Sequence, residues 1–130
     1  MPNIKQTVIF KNATPKQLYE AILDPKKHTQ FTGSKANGSM KVGGKFTAFD
    51  GYISGTNLKL IKDKKILQAW TSTDFPKGYV TEATFEFKKV SEGTKLIFTQ
   101  SNVPVKNLKD IANGWKKFYW QPLQKWLDKK

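Results

Sequence analysis

The chain has no cysteine and no arginine, and its only histidine is His28. Without cysteine there is no disulfide framework, no thiolate nucleophile and no redox motif. One histidine and no thiol cannot build a nitrogen- or sulfur-rich zinc site, so no metal and no cofactor is expected. Without arginine the chain lacks the side chain that reads guanine or clamps phosphate through two parallel hydrogen bonds, which argues against nucleic acid as a partner. Acidic residues are scarce, ten against 23 lysines, for a formal net charge of +13. The lysines are spread along the chain rather than blocked together, as on a solvated surface, with weak attraction toward an acidic protein as the functional alternative. Long apolar runs are absent, so no membrane span is expected. The opening residues MPNIKQTVIFKN lack the apolar centre of a signal peptide. A cytoplasmic location without membrane contact fits.

Bulky apolar residues are plentiful: nine phenylalanines, four tyrosines and four tryptophans, within 38% hydrophobic residues overall. That composition excludes disorder despite the charge, and residues 1–130 read as a single domain with a real core. From Asn107 to Lys130 the residues Leu108, Ile111, Ala112, Trp115, Phe118, Tyr119, Leu123 and Trp126 recur at three- and four-residue steps. They predict one long helix with an aromatic stripe, bent at Pro122. Upstream, Ile4 to Phe10 reads as a strand. Thr14 is placed to cap a short helix that Pro15 opens and Asp24-Pro25 ends, and Pro25 opens a second one. Gly33 to Lys41 is a strand or an extended loop. Strands follow around Phe46, from Tyr52 to Ile61, from Ile66 to Ser72, from Thr81 to Lys89 and from Lys95 to Gln100. Asp50-Gly51 marks a type I′ hairpin, and Gly55 a bulge or a close approach. Ala83, Phe85 and Phe87 alternate with polar neighbours, so one sheet face is buried and the other wet. The expected fold is α+β: a curved antiparallel sheet wrapped around a long C-terminal helix.

Chemistry has few footholds. His28 lies in a polar stretch and reads as a surface or helix-end residue. Asp24, Asp50, Asp63 and Asp74 fall at turns, where aspartate is the default. Glu82 and Glu86 share an exposed strand face, Ser54 has no nucleophile-elbow context, and Gly43-Gly44-Lys45 lacks the spacing of a phosphate-binding loop. No acid–base constellation emerges, and an enzyme is not expected. Two aromatic positions stand apart. Trp120 lies off the helical stripe and is expected at the sheet edge, the pocket mouth or a partner. Phe75 and Tyr79 flank Pro76-Lys77-Gly78 in a loop and form a second candidate contact.

Three segments carry a resemblance. Val42-Gly43-Gly44-Lys45-Phe46, Asp50-Gly51-Tyr52-Ile53-Ser54-Gly55 and Gly114-Trp115-Lys116-Lys117-Phe118-Tyr119, together with Trp70 ahead of the Phe75–Gly78 loop, resemble in order the C-terminal domain of activators of the heat shock protein 90 ATPase. The resemblance implies the START-like, or helix-grip, fold and a co-chaperone that contacts the N-terminal ATPase domain of heat shock protein 90 and favours its closed state. In the co-chaperones it resembles, a separate N-terminal domain anchors the protein to the chaperone. A chain of 130 residues leaves no room for it, so weaker activation is expected. The partner-binding candidates are Gly43, Gly44, Lys45, Phe75, Pro76, Lys77, Tyr79, Lys116 and Trp120. The alternative is a hydrophobic small molecule between sheet and final helix, lined by Phe46, Trp70, Phe85, Phe98, Trp115 and Tyr119. So many large side chains favour a small or filled interior.

Overall fold

A computed structural model describes residues 3–129. Seven strands form one antiparallel sheet: β1 (Ile4–Lys11), β2 (Asn37–Gly38), β3 (Lys45–Ala48), β4 (Ile53–Ile61), β5 (Lys65–Ser72), β6 (Thr81–Val90) and β7 (Gly93–Ser101), in the spatial order β1-β7-β6-β5-β4-β3-β2. From β2 to β7 each strand pairs with the next in sequence, and β1 closes against β7 with Ile4 opposite Gln100. Strict alternation explains which side is dry. In β6, Thr81, Ala83, Phe85 and Phe87 are buried, and in β7 so are Thr94, Leu96, Phe98 and Gln100. The Gly33–Lys41 segment resolves mostly as loop, with only Asn37 and Gly38 in a strand.

The local signals act as chemistry requires. Thr14 accepts from the Gln17 amide at 3.2 Å, and the Gln17 side chain accepts from the Thr14 amide at 2.9 Å, a reciprocal cap on α1 (Pro15–Leu23). Asp24 ends α1 and caps α2 (Pro25–Thr32), accepting from the Lys26 amide at 2.9 Å. Asp50 and Gly51 both take positive φ, and the Tyr52 amide bonds back to the Phe49 carbonyl at 3.1 Å, the expected type I′ geometry. Gly55 is a close approach: a Cβ there would lie 1.9 Å from the Ala69 carbonyl oxygen. The register shift of β4 falls later, between Asn57 and Lys59.

The C-terminal segment lies on the dry face, as a helix-grip arrangement demands, but it is not one uniform α-helix. A 3-10 turn (Val105–Asn107) leads into α3 (Leu108–Trp115), then a π turn (Lys116–Trp120), then α4 (Gln121–Asp128). A π turn bonds i to i+5 and holds one more residue than an α turn, so Trp120 comes back to the face from which Trp115 started. Pro122 sits just after the π turn, where the ladder is already interrupted and its missing donor costs least. A change of helix type thus falls just ahead of Pro122, where a bend is expected.

Trp115, Tyr119, Trp120, Leu123 and Leu127 are buried. Trp115 packs 4.3 Å from Phe98, centroid to centroid, and stacks on Trp120 at 5.4 Å. The Trp115 donor is met: its Nε1 donates to Gln100 Oε1 at 2.8 Å, Gln100 Nε2 to Thr81 Oγ1 at 2.9 Å, and Thr81 Oγ1 to the Trp70 carbonyl at 2.7 Å. This buried chain ties the helix to β5, β6 and β7. Phe118, expected on the stripe, is half exposed, because the residue added by the π turn moves it outward. The helix also bonds to β1 at two points: Gln6 Nε2 donates to the Ala112 carbonyl at 2.9 Å, and the Lys11 amide to Gln124 Oε1 at 3.1 Å.

Candidate binding cleft and partner surface

The space expected between sheet and helix divides in two. Deep inside, among Phe46, Trp70, Phe85, Trp115 and Tyr119, only about 20 Å³ stays open. The interior is packed, as its large side chains require. Phe98 borders neither space; it lies wholly beneath Trp115 and Trp120. At one end a cleft of about 370 Å³ opens to solvent. The β3–β4 hairpin gives it Phe49, Tyr52 and Ile53, and β5 with its following turn gives Trp70 and Asp74. From the helix come Asp110, Ile111 and Gly114 of α3, then Trp115, Phe118 and Tyr119. Of the expected pocket residues only Trp70, Trp115 and Tyr119 line this cleft.

The missed residues have local reasons. Phe49 and Tyr52 flank the Asp50-Gly51 turn, and a tight turn throws its flanking side chains to one end of the sheet. Phe49 itself takes a left-handed φ of 51°, and its ring packs 5.6 Å from Tyr119 and 6.2 Å from Phe118. Asp74 reads in sequence as a turn residue. In three dimensions it accepts a hydrogen bond from the Tyr52 hydroxyl across the mouth. Partial burial first, and then the carboxylates of Asp74 and Asp110, raise the Tyr52 phenol above its ordinary pKa.

His28 corrects an expectation. It is only 6% exposed, not a surface residue. Its Nε2 lies 3.0 Å from the Tyr119 hydroxyl, and its ring packs against Phe31, Phe49 and Tyr119. Its Nδ1 has no hydrogen-bond partner among the described residues. Burial lowers its pKa to about 4, so it is neutral near pH 7. Burial also raises the Tyr119 phenol. The polar neighbours that suggested exposure in the sequence occupy the other faces of α2.

The partner candidates separate by burial. Trp120 is 4% exposed, gives its indole N–H to Gln6 Oε1 at 2.7 Å and packs on Phe10, both in the edge strand β1, so of the positions expected of it the sheet edge is the one it takes, buried by the π turn. Phe75 is also buried, against Trp70 and Tyr79. The loop folds its aromatic inward and presents Pro76 and Lys77 instead, while Tyr79 is half-buried and donates to Asn102 Oδ1 at 3.3 Å.

Gly43 and Lys45 are exposed, and Gly44 is partly so. Their turn is built around the buried Asn57. The Gly43 amide donates to the Asn57 carbonyl at 2.7 Å, and Asn57 Nδ2 donates to the carbonyls of Ser39 and Lys41. Both glycines are needed. Gly43 has φ 81°, and a Cβ on Gly44 would lie 2.3 Å from Ser39. Lys116 is exposed on the π turn. Among the described residues no hydrogen bond or ring contact joins the glycine turn to the Phe75–Tyr79 loop.

Among the described residues no group of three or more His, Asp or Glu could hold a metal ion, and no helix is long and apolar enough to cross a membrane.

Comparison with known proteins gives the following. Residues 12–128 match the family described as "Activator of Hsp90 ATPase homolog 1-like protein". A human protein, activator of 90 kDa heat shock protein ATPase homolog 1, is 25% identical over 121 residues, 93% of this chain and 35% of that protein. An uncharacterized protein of Schizosaccharomyces pombe is 26% identical over 113 residues, 87% of this chain and 34% of the other. The chain thus spans about a third of the length of these curated relatives. A solved structure from Plasmodium falciparum, titled an HSP90 activator, superposes with a TM-score of 0.85 at 30% identity, covering 97% of this chain and 94% of that one.

Proposed function

The chain belongs to the family of activator of Hsp90 ATPase homolog 1-like proteins, and from that premise we propose that it is a co-chaperone-like protein that binds heat shock protein 90 and stimulates its ATPase. The observation that carries the proposal is the mutual coverage with the Plasmodium falciparum HSP90 activator, 97% and 94% at 30% identity. Residues 1–130 then act as one domain of this kind, in the cytoplasm, and perform no chemistry of their own. Activation needs only tighter binding to the hydrolysing conformation of the chaperone than to its resting one, since differential affinity alone shifts an equilibrium.

The N-terminal ATPase domain is the proposed docking partner. The contact surface comprises the exposed residues among those singled out in the sequence: Gly43 and Lys45 of the glycine turn, Pro76 and Lys77 of the β5–β6 loop, and Lys116 on the helix. Gly44 and Tyr79 hold those segments in shape. Phe75, being buried against Trp70 and Tyr79, supports the loop from beneath, whereas Trp120 packs against Phe10, Phe98 and Trp115 in the interior. The test is a pull-down and an ATPase assay with purified chaperone. Binding at micromolar Kd with raised ATP turnover is expected. No binding at tens of micromolar removes the proposal.

One observation favours a second reading. The 370 Å³ cleft is apolar along most of its wall and open at one end, in the size range of small-molecule sites. We propose a hydrophobic small molecule as its occupant, held against Trp70, Trp115 and Tyr119. A probe that shifts the indole N–H resonance of Trp115 at saturable stoichiometry supports this.

A further inference from the structure

On a chain of +13, any neutral hollow is surrounded by a positive field and gathers anions. The mouth of the cleft is built against that field. Two of the chain's ten acidic residues, Asp74 and Asp110, stand on its rim, and among the described residues no lysine lines it. Asp110 lies in the first turn of α3 and makes no hydrogen bond or ion pair among the described residues. Asp74 is held in place by the Tyr52 hydroxyl, and its amide donates to Ser72 Oγ at 3.2 Å. Both carboxylates act on Tyr52, which lies between them electrically.

Below the rim the walls are aromatic: Phe49, Trp70, Trp115, Phe118 and Tyr119. Aromatic faces attract cations, most strongly where water is excluded. Phe118, half exposed, carries the neighbouring Lys117 Nζ 5.5 Å from its ring centroid, while Trp70, Trp115 and Tyr119 lie deeper. Apolar walls, ring faces and an acidic mouth together fit one kind of molecule.

We propose that the cleft selects a small aromatic or alicyclic ammonium, its apolar body against Trp70 and Trp115 and its charged nitrogen at Asp74 and Asp110. This rests on the second reading above, that the cleft takes a hydrophobic small molecule, and adds the charge of that molecule. The volume of about 370 Å³ is ample for a body of about two fused rings.

The experiment uses three probes with one ring system and different heads: naphthylmethylammonium, naphthylmethanol and naphthoate. Each is titrated into the full chain by calorimetry and followed by amide and indole N–H resonances. The ammonium is expected to bind about tenfold tighter than the alcohol, with the carboxylate weakest. The double substitution Asp74→Asn with Asp110→Asn should erase that order and leave the alcohol unchanged. Both positions are exposed, so the variant should fold. Gly114→Leu, which projects into the cleft, should abolish binding of all three. Equal affinity for ammonium and alcohol would overturn the charge selectivity while leaving the apolar-ligand reading standing. Failure of every probe to bind, or binding unaffected by Gly114→Leu, would overturn both.

Discussion

At the scale of single residues, His28 decides how the protein responds to acid. Its pKa falls from the ordinary 6.5 to about 4 because burial disfavours the charged ring. Between those values the unfolded chain binds a proton that the folded chain refuses, so stability rises with pH across that window. The full contribution is present above about pH 6.5 and is lost as pH falls toward 4, about 3 kcal/mol in all. Because His28 is the sole histidine, urea unfolding between pH 4.5 and 7 should show this slope, and His28→Gln should flatten it. A wild-type midpoint constant over that range would mean the ring is not buried neutral. Trp120 makes a second residue-scale prediction. Replacing it by alanine empties the space beside Trp115 and Phe98 and leaves Gln6 Oε1 without its donor, at a cost of about 3–5 kcal/mol. A surface contact residue would instead lose partner affinity with little change in stability. The two quantities, measured on one variant, separate the roles.

At the scale of elements, the legible features were those written in neighbouring residues. Thr14-Pro15, Asp24-Pro25 and Asp50-Gly51 each impose a local geometry, and the alternation of Thr81 to Phe87 needs only a dry side. Each appears where the local chemistry places it. What was not legible is the π turn Lys116–Trp120, because an α-helix and a helix with one inserted residue share the same composition. That single insertion carries Trp120 into the interior and Phe118 out of it, and so redraws the candidate site. The cleft was hidden for a related reason: its walls come from a hairpin turn, a strand end and a helix, brought together only by the sheet register. Gly114 shows how an element can be tuned for a site. It lies within the helical run, where glycine costs about 0.5–1 kcal/mol relative to alanine. A Cβ there meets nothing closer than Phe118 at 3.8 Å. Gly114→Ala should therefore raise the urea midpoint while narrowing the cleft. A fall in the midpoint would show that the helix at Gly114 is not the relaxed one described.

At the scale of the whole molecule, the unbalanced charge has two effects of opposite sign. Among the described residues one ion pair exists, Lys27 with Glu20 at 2.6 Å, so most lysines face water and one another. Added salt screens that repulsion and should raise the melting temperature modestly. The same screening should weaken attraction to an acidic chaperone surface, with Kd rising several-fold between about 50 and 300 mM salt. A solvated lysine surface without function gives the first effect and not the second. Charge reversal then separates field from contact. Lys45→Glu, Lys77→Glu and Lys116→Glu together alter the proposed contact surface. Lys62→Glu, Lys64→Glu and Lys88→Glu alter the net charge equally at the opposite end of β4–β6 from the Pro76–Lys77 loop. If the protein binds through the first surface, that triple should lose at least about tenfold more affinity than the second and reduce ATPase stimulation in step. Equal losses would mean that the chaperone senses only net charge, and the assigned surface would have to be abandoned.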